Sequence, residues 1–187
     1  DITIKALRAG KHVLCEKPMV LSGEEAEYLH DLANEQKCVL MEAIKTAYCP
    51  GFNQLLGVVK SGAIGTVYDV EACFTKLENP KVRELNDVKY GGSFTELASY
   101  TMLPIIKILG TEYESIRFES FCNEKGIDIY TKAYFKYKNA VGTAKNGLGV
   151  KSEGQLIISG TKGYIIVEAP WWKTQSFEVR YENPELN

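Results

Sequence analysis

Three ionisable side chains stand where chemistry could use them: Lys17, Glu96 and Tyr100. Lys17 lies in Glu16-Lys17-Pro18, directly after the apolar run His12-Val13-Leu14-Cys15. A residue before proline is pushed out of the helical region, so Lys17 is expected to be extended, with a bond to Pro18 of the kind that can be cis. In open α/β sheets ligands sit beyond the carboxyl ends of the strands, which would put this cation at the mouth of a crevice. The same residues also fit a plain surface lysine at a strand-to-helix turn. Glu96 and Tyr100 are four apart in a helical pattern, so their side chains share one face and could relay a proton. A cation beside a phenol stabilises the phenolate, so a lysine and a tyrosine together can serve a substrate oxygen that gains or loses a proton. Against this, Ser93-Phe94-Thr95-Glu96 is a capping box, in which Glu96 would bond back to the amide of Ser93 and only start the helix. Tyr100 likewise fits a half-buried aromatic whose hydroxyl has found a partner.

The elements that must position these residues can be read from periodicity and punctuation. Asp1 to Ala9 reads as the tail of a helix stopped by Gly10, followed by a strand over His12 to Glu16. Ser22-Gly23-Glu24-Glu25 is a capping box opening a helix to about Gln36, with Ala26, Leu29, Leu32 and Ala33 on one face, and Cys38 to Glu42 reads as a short buried strand. Strand, helix, strand at these lengths is a parallel β-α-β unit, the last part of a doubly wound nucleotide-binding sheet. Beyond Lys45 the character changes. Pro50 opens a helix to about Lys60, Val67 to Lys76 is a strand, a polar loop runs from Leu77 to Lys89, and a helix spans Ser93 to Leu109 before Gly110. The remainder reads as antiparallel strands: Ser115 to Cys122, Ile127 to Tyr137, Val141 to Asn146, Gln155 to Ser159, Tyr164 to Glu168 and Phe177 to Tyr181. Thr161-Lys162 between Gly160 and Gly163 is a tight hairpin turn. The expected architecture is α/β: a C-terminal remnant of a Rossmann domain over 1–45, and an α+β domain with a large, predominantly antiparallel open sheet over 46–187. Aromatic residues such as Tyr130, Tyr134, Phe135 and Tyr137 are expected on an exposed face of that sheet, where a second copy would cover them.

Composition removes several classes of function. The 187 residues are 45% hydrophobic and 25% charged, enough for a substantial core, and the formal charge of -2 offers no electrostatic footprint for nucleic acid or an anionic membrane. No apolar run is long enough to span a bilayer and no signal-peptide pattern opens the chain, so a cytoplasmic protein is expected. The five cysteines, Cys15, Cys38, Cys49, Cys73 and Cys122, are scattered without metal-ligand spacing and read as reduced core residues; no metal is expected.

One ordered set of motifs carries more than any of its members. Ala9-Gly10-Lys11-His12-Val13-Leu14-Cys15-Glu16-Lys17-Pro18-Met19 is followed by Leu40-Met41-Glu42-Ala43, Ser61-Gly62-Ala63-Ile64-Gly65, Gly91-Gly92, and Gly160-Thr161-Lys162-Gly163 with Pro170-Trp171-Trp172. In this order they resemble the oxidoreductase family of glucose-fructose oxidoreductase, inositol dehydrogenase and their relatives (Gfo/Idh/MocA), and within it the dihydrodiol dehydrogenase-like members. The resemblance implies an NAD(P)-dependent dehydrogenase or reductase acting on a small sugar, polyol or diol, with a homo-oligomer formed through the large sheet. It implies catalytic roles for Lys17, Tyr100 and Glu96, and contact of Glu16, Lys17 and Pro18 with the cofactor, NAD or NADP. Hydride leaving a carbinol carbon requires a group that takes the hydroxyl proton, and either Lys17 or Tyr100 has the chemistry for it. Two departures stand out: Glu96 replaces the family's usual Asp, and Ala47 stands where many members have Arg. These also fit a second reading, a non-catalytic ligand-sensing or assembly protein that keeps the fold. Trp171 and Trp172 could floor a sugar site or pack the core, and Arg83 and Lys89 could reach substrate or remain solvated.

The Gly-x-Gly-x-x-Gly turn that seats a pyrophosphate on a helix N-terminus does not occur here, since Gly147-x-Gly149 with Gly154 falls between strands. The chain is therefore expected to be a truncated form of the enzyme, inactive by itself. Isothermal titration of this chain with NADH and with NADPH is expected to show weak binding or none, because the main phosphate-holding element is missing; submicromolar affinity for either would overturn the expectation.

Overall fold

The computed structural model describes residues 1–186 and resolves two compact units, Asp1–Ile44 and a second from Lys45 onward. In the first unit, helix α1 (Ile2–Arg8) ends near Gly10, whose φ of 69° is the left-handed conformation that glycine adopts without strain. Strand β1 (Val13–Cys15) runs parallel to β2 (Leu40–Glu42) with Val13 opposite Leu40, and α2 (Gly23–Glu35) crosses between them. The Ser22 hydroxyl accepts the Glu25 N–H at 3.2 Å and caps α2. Leu7, Leu29, Leu32, Ala33 and Leu40 form this unit's core. Both strands are shorter than the sequence pattern suggests, and they are not buried on both sides. Leu14 and Met41, adjacent on the face turned away from that core, are exposed.

The second unit is built on one sheet. After a 3₁₀ turn (Lys45–Tyr48) and helix α3 (Pro50–Lys60) come β3 (Val67–Thr75), helix α4 (Ser93–Leu109), and strands β4 (Ser115–Cys122), β5 (Asp128–Lys136), β6 (Val141–Gly147), β7 (Leu156–Gly160), β8 (Gly163–Val167) and β9 (Glu178–Tyr181). The spatial order is β4-β5-β6-β3-β7-β8-β9. Only β3 and β6 run parallel; every other neighbouring pair is antiparallel. Phe52 and Leu55 of α3 and Ile105 of α4 pack on Val70, Ala72, Ala133, Phe135, Ala144, Leu156, Ile158 and Ile165 of the sheet. Gly142 of β6 lets α4 approach closely, since a Cβ there would lie 2.6 Å from Ile105. Among the described residues no helix is long and apolar enough to cross a membrane.

Two of the sequence motifs meet in this unit. The Gly160–Gly163 hairpin docks on the turn after α3: Lys162 N–H donates to Ile64 O at 2.9 Å, Thr161 N–H to Thr66 O at 3.1 Å, and Thr66 N–H to Thr161 Oγ1 at 3.1 Å. A Cβ at residue 160 would stand 2.2 Å from Ile64 O, so the contact requires glycine at that position.

The expected exposed aromatic face needs correction. Side chains alternate along β5, so Tyr130 and Tyr134 point to one side while Phe135 and Tyr137, 1% and 8% exposed, belong to the helix-covered core. The face opposite α3 and α4 is largely polar. Across it Lys145 of β6 pairs with Glu153, which the Ser152 hydroxyl also holds, and lies 3.9 Å from Glu71 of β3. Partial burial disfavours the charged form of Glu153, but hydrogen bonds from Lys145 and Ser152 outweigh it and hold the carboxyl at about 2, below its ordinary 4.5. Its stabilising contribution is therefore complete above about pH 4.5 and is lost as pH falls from there toward 2. In urea titrations at a series of pH values, Glu153→Gln is expected to flatten the fall in stability across that interval; an unchanged slope would show that the pair contributes nothing.

Candidate functional site

The candidate residues divide between the two units. In the first, Lys17 follows β1 and its bond to Pro18 is cis. Ala43 N–H donates to Cys15 O at 2.8 Å, extending the β1–β2 pairing, and Met19 N–H donates to Glu42 Oε1 at 2.9 Å. The carboxylate of the Met41-Glu42-Ala43 motif thus pins the turn that carries Lys17. Glu16 is exposed there, whereas Lys17 and Pro18 are half-buried. Glu42 has no local signal for this role, because its partner is 23 residues away.

In the second unit the site rests on the start of α4. Its N-cap is Gly92, at φ 111°, rather than Ser93. The expected capping box does not form: Glu96 N–H bonds Gly92 O, while the Ser93 hydroxyl donates to Asp128 O at 3.1 Å and accepts Leu148 N–H at 3.0 Å. The cap comes from another strand. Asp128 Oδ2, at the start of β5, accepts Phe94 N–H at 2.9 Å and the Thr131 hydroxyl at 2.8 Å. An anion at this end also complements the helix dipole. Gly92 makes room for it, since a Cβ at 92 would lie 2.1 Å from Asp128 Oδ1. Farther along, the Thr101 hydroxyl donates to Asn146 Oδ1 of β6 at 2.8 Å, and Pro104 has no N–H to send back to the Tyr100 carbonyl. The helix is thereby fixed against the sheet at both ends of the Glu96–Tyr100 segment.

Glu96 and Tyr100 are half-buried on α4. The Tyr100 ring meets Phe74 of β3 edge-on at 5.3 Å, and Phe74 stacks on Trp172 at 3.6 Å with the planes 10° apart. Trp171 and Trp172, similar in sequence context, do different work. Trp171 is fully buried, with its indole N–H on Cys73 O at 2.8 Å; Trp172 is half-buried and turns its face to Phe74, held by Thr46, whose hydroxyl donates to the Trp172 carbonyl at 2.7 Å. The outcome is a phenol set beside an apolar aromatic wall, with a carboxylate one helical turn before it. Such a wall excludes water from one side of a carbon skeleton and leaves the hydroxyl as the polar contact. Arg83 pairs with Glu84 at 3.2 Å, and Lys89 lies over the Tyr90 ring at 4.9 Å; neither is brought to the aromatic wall by any of these contacts. Among the described residues no cluster of His, Cys, Asp and Glu is arranged to hold a metal.

Comparison with known proteins agrees with this architecture. A family model described as the oxidoreductase family with an NAD-binding Rossmann fold matches residues 1–44, and the GFO/IDH/MocA C-terminal domain matches residues 52–166. The chain is 29% identical over 182 residues to trans-1,2-dihydrobenzene-1,2-diol dehydrogenase of Bos taurus and 28% identical to that of Homo sapiens, in each case covering 96% of this chain and 54% of the relative. It spans about half the length of the curated relatives it matches. Among solved structures it is similar to aldose-aldose oxidoreductase from Caulobacter crescentus complexed with glycerol, with a TM-score of 0.83, 20% identity, and coverage of 98% of this chain and 57% of that one. It is also similar to the WlbA dehydrogenase from Bordetella pertussis in complex with NADH and UDP-GlcNAcA, with a TM-score of 0.82, 18% identity, and coverage of 97% and 55%.

Removing the cap or the space it needs tests this arrangement directly. Asp128→Ala is expected to cost about 1 kcal/mol, the scale of a lost helix cap. Gly92→Ala is expected to cost about 1–3 kcal/mol through strain at positive φ and displacement of Asp128. Urea unfolding of both variants gives the values, and wild-type stability in either would remove Asp128 from the account.

Proposed function

Because the chain belongs to the GFO/IDH/MocA oxidoreductase family, we propose that it serves an NAD(P)-dependent dehydrogenase or reductase acting on a sugar, polyol or diol. The nicotinamide cofactor, NAD or NADP, supplies hydride acceptance or donation. This chain's residues manage the oxygen and its proton. Lys17 is assigned the cation that polarises a substrate carbonyl or stabilises an alkoxide, and Tyr100 the hydroxyl through which a proton is passed. Glu96 is assigned the carboxylate that orients or recharges the phenol. Glu16, Lys17 and Pro18 are assigned to the cofactor's nicotinamide end, where the turn pinned by Glu42 offers a rigid polar strand terminus.

The observation that carries the reading is the capping of α4 by Asp128. It anchors the helix whose next turns carry Glu96 and Tyr100, and on that helix the Tyr100 ring lies beside Phe74 and Trp172, where a small carbon skeleton has an apolar wall and one hydroxyl to face. Names of the relatives point the same way, since they act on a diol or on aldoses. The assignment to the cytoplasm is supported by five free cysteines of a kind that suits a reducing compartment. Assembly as a homo-oligomer is supported by the sheet face opposite α3 and α4, which carries Tyr130, Tyr134 and Ile157.

Activity measurements belong in a protein that carries a complete dinucleotide-binding fold ahead of these residues. There, Lys17→Ala is expected to lower kcat by roughly two orders of magnitude or more, the scale of lost electrostatic or acid-base catalysis. Tyr100→Phe should lose somewhat less if water replaces the hydroxyl. Glu96→Gln should lower kcat with stability kept. Near-wild-type kcat for Lys17→Ala across pH 6 to 9 would make the lysine structural and overturn its catalytic assignment, whereas a wild type that turns over no sugar, polyol or diol would favour a non-catalytic sensor of the same fold.

A further inference from the structure

The edge of the seven-stranded sheet at β4 is unusually open for a natural edge. Ser115–Cys122 is eight residues long, and seven of the eight are exposed, with only Ile116 half-buried. Among the described residues no strand lies beyond it. Natural edge strands are commonly blunted by charged side chains, lysine above all, by proline or by a central bulge, and the charges here, Arg117 and Glu119, are of opposite sign. This one, Ser-Ile-Arg-Phe-Glu-Ser-Phe-Cys, has no lysine, proline or glycine, and its irregularity is confined to the far end at Phe121/Cys122. The opposite edge, β9, is four residues long and offers half the backbone.

The side chains of β4 add a pattern that a free edge does not require. Arg117 and Glu119 flank Phe118 and, being two apart, lie on the face of the sheet opposite α3 and α4 with their β5 partners Tyr134 and Lys132. Phe118 lies on the other face, where it meets Phe94 edge-on at 5.3 Å yet stays 52% exposed. When two copies of one strand pair antiparallel about a two-fold axis normal to the sheet, each residue faces one of its own kind of face, so only certain registers exist. Centred on residue 117 the pair sets Arg117 against Arg117; centred on 119 it sets Glu119 against Glu119. Centred on Phe118 it sets Arg117 against Glu119 twice, with the two Phe118 rings side by side. Like charges directly opposed are unfavourable and opposite charges favourable, so this strand is complementary to itself in one register.

We propose that β4 is an association edge for a second copy of this chain, paired antiparallel about Phe118 into a continuous fourteen-stranded sheet. Backbone hydrogen bonds supply the adhesion, and the paired Arg117–Glu119 contacts select the register. This interface is separate from packing through the sheet face opposite α3 and α4 and does not depend on the catalytic reading.

The test is a charge swap read by sedimentation velocity at micromolar concentration on the 187-residue chain. Arg117→Glu alone and Glu119→Arg alone each oppose like charges across the two-fold, and each is expected to lose one association step of the wild type, with the Kd of that step roughly thirtyfold weaker or more. Mixed in equal amounts, the two variants oppose unlike charges at both positions, and the step is expected to return. Within one strand Arg117 Nη1 also pairs with Glu119 Oε1, and the mixture separates the interface from damage within one chain, because that intrachain pair stays broken in both variants. Unchanged thermal melts of the single variants confirm that they fold; should either melt low, amide exchange in wild-type β4 takes their place, expected to slow as protein concentration rises. A wild type that remains monomeric, single variants that keep the wild-type assembly, a mixture that fails to regain it, or β4 exchange independent of concentration would each overturn the proposal.

Discussion

The contact on which the second unit's site depends is the acceptance of the α4 N-terminus by Asp128. A helix begins with backbone N–H groups that have no partner within it, and here the residue at the N-cap is a glycine with nothing to offer. The carboxylate comes instead from β5, 34 residues later in the chain. The choice has consequences along the helix. It ties the register of α4 to the central sheet, so Glu96 and Tyr100 are placed by strand geometry rather than by the loop that precedes them. It also frees the Ser93 hydroxyl to hold Leu148, which joins the end of β6 to the same point.

Other motifs in the chain prove to be halves of contacts of the same kind. Glu-Lys-Pro and Met-Glu-Ala meet through the Met19–Glu42 hydrogen bond, and Ser-Gly-Ala-Ile-Gly and Gly-Thr-Lys-Gly meet backbone to backbone. Gly91-Gly92 makes room for Asp128, and Pro-Trp-Trp delivers one tryptophan to the core and the other to Phe74. The first of these contacts pins the turn that carries Lys17, the glycine pair and Asp128 hold the start of the helix that carries Glu96 and Tyr100, and the second tryptophan meets the Phe74 that Tyr100 touches.

What could be read from the chain follows from the range of each interaction. Local signals succeeded: the Ser22 cap, the parallel β-α-β unit, the Gly160–Gly163 hairpin and the succession of antiparallel strands all rest on neighbours in sequence. The failures are non-local. Ser93-Phe94-Thr95-Glu96 has the letters of a capping box, but tertiary partners 35 and 55 residues away outcompete it for the serine. Phe74 and Asp128 carried no signal of their own, because a strand phenylalanine and a strand-end aspartate are common. The aromatic residues of β5 and the turn after it divide between two faces because positions 130 and 134 share parity with each other and not with 135 and 137, and a period of two settles which side each takes. Strand ends at His12, Glu16 and Cys38 were overextended since pairing, not hydropathy, defines them.

The central claim is that residues of this chain govern proton and charge at an oxygen whose carbon exchanges hydride. Its most direct test follows the label rather than the rate. The protein with a complete dinucleotide-binding fold is incubated with NADH and NADPH deuterated on either face of the nicotinamide, together with a panel of small aldoses, ketoses and α-hydroxyketones, and products are read by mass spectrometry. The account predicts deuterium on the new carbinol carbon from one face only, and its loss in Lys17→Ala while cofactor binding persists. Cofactor bound with no label transferred to any carbonyl, or transfer indifferent to Lys17, would contradict it.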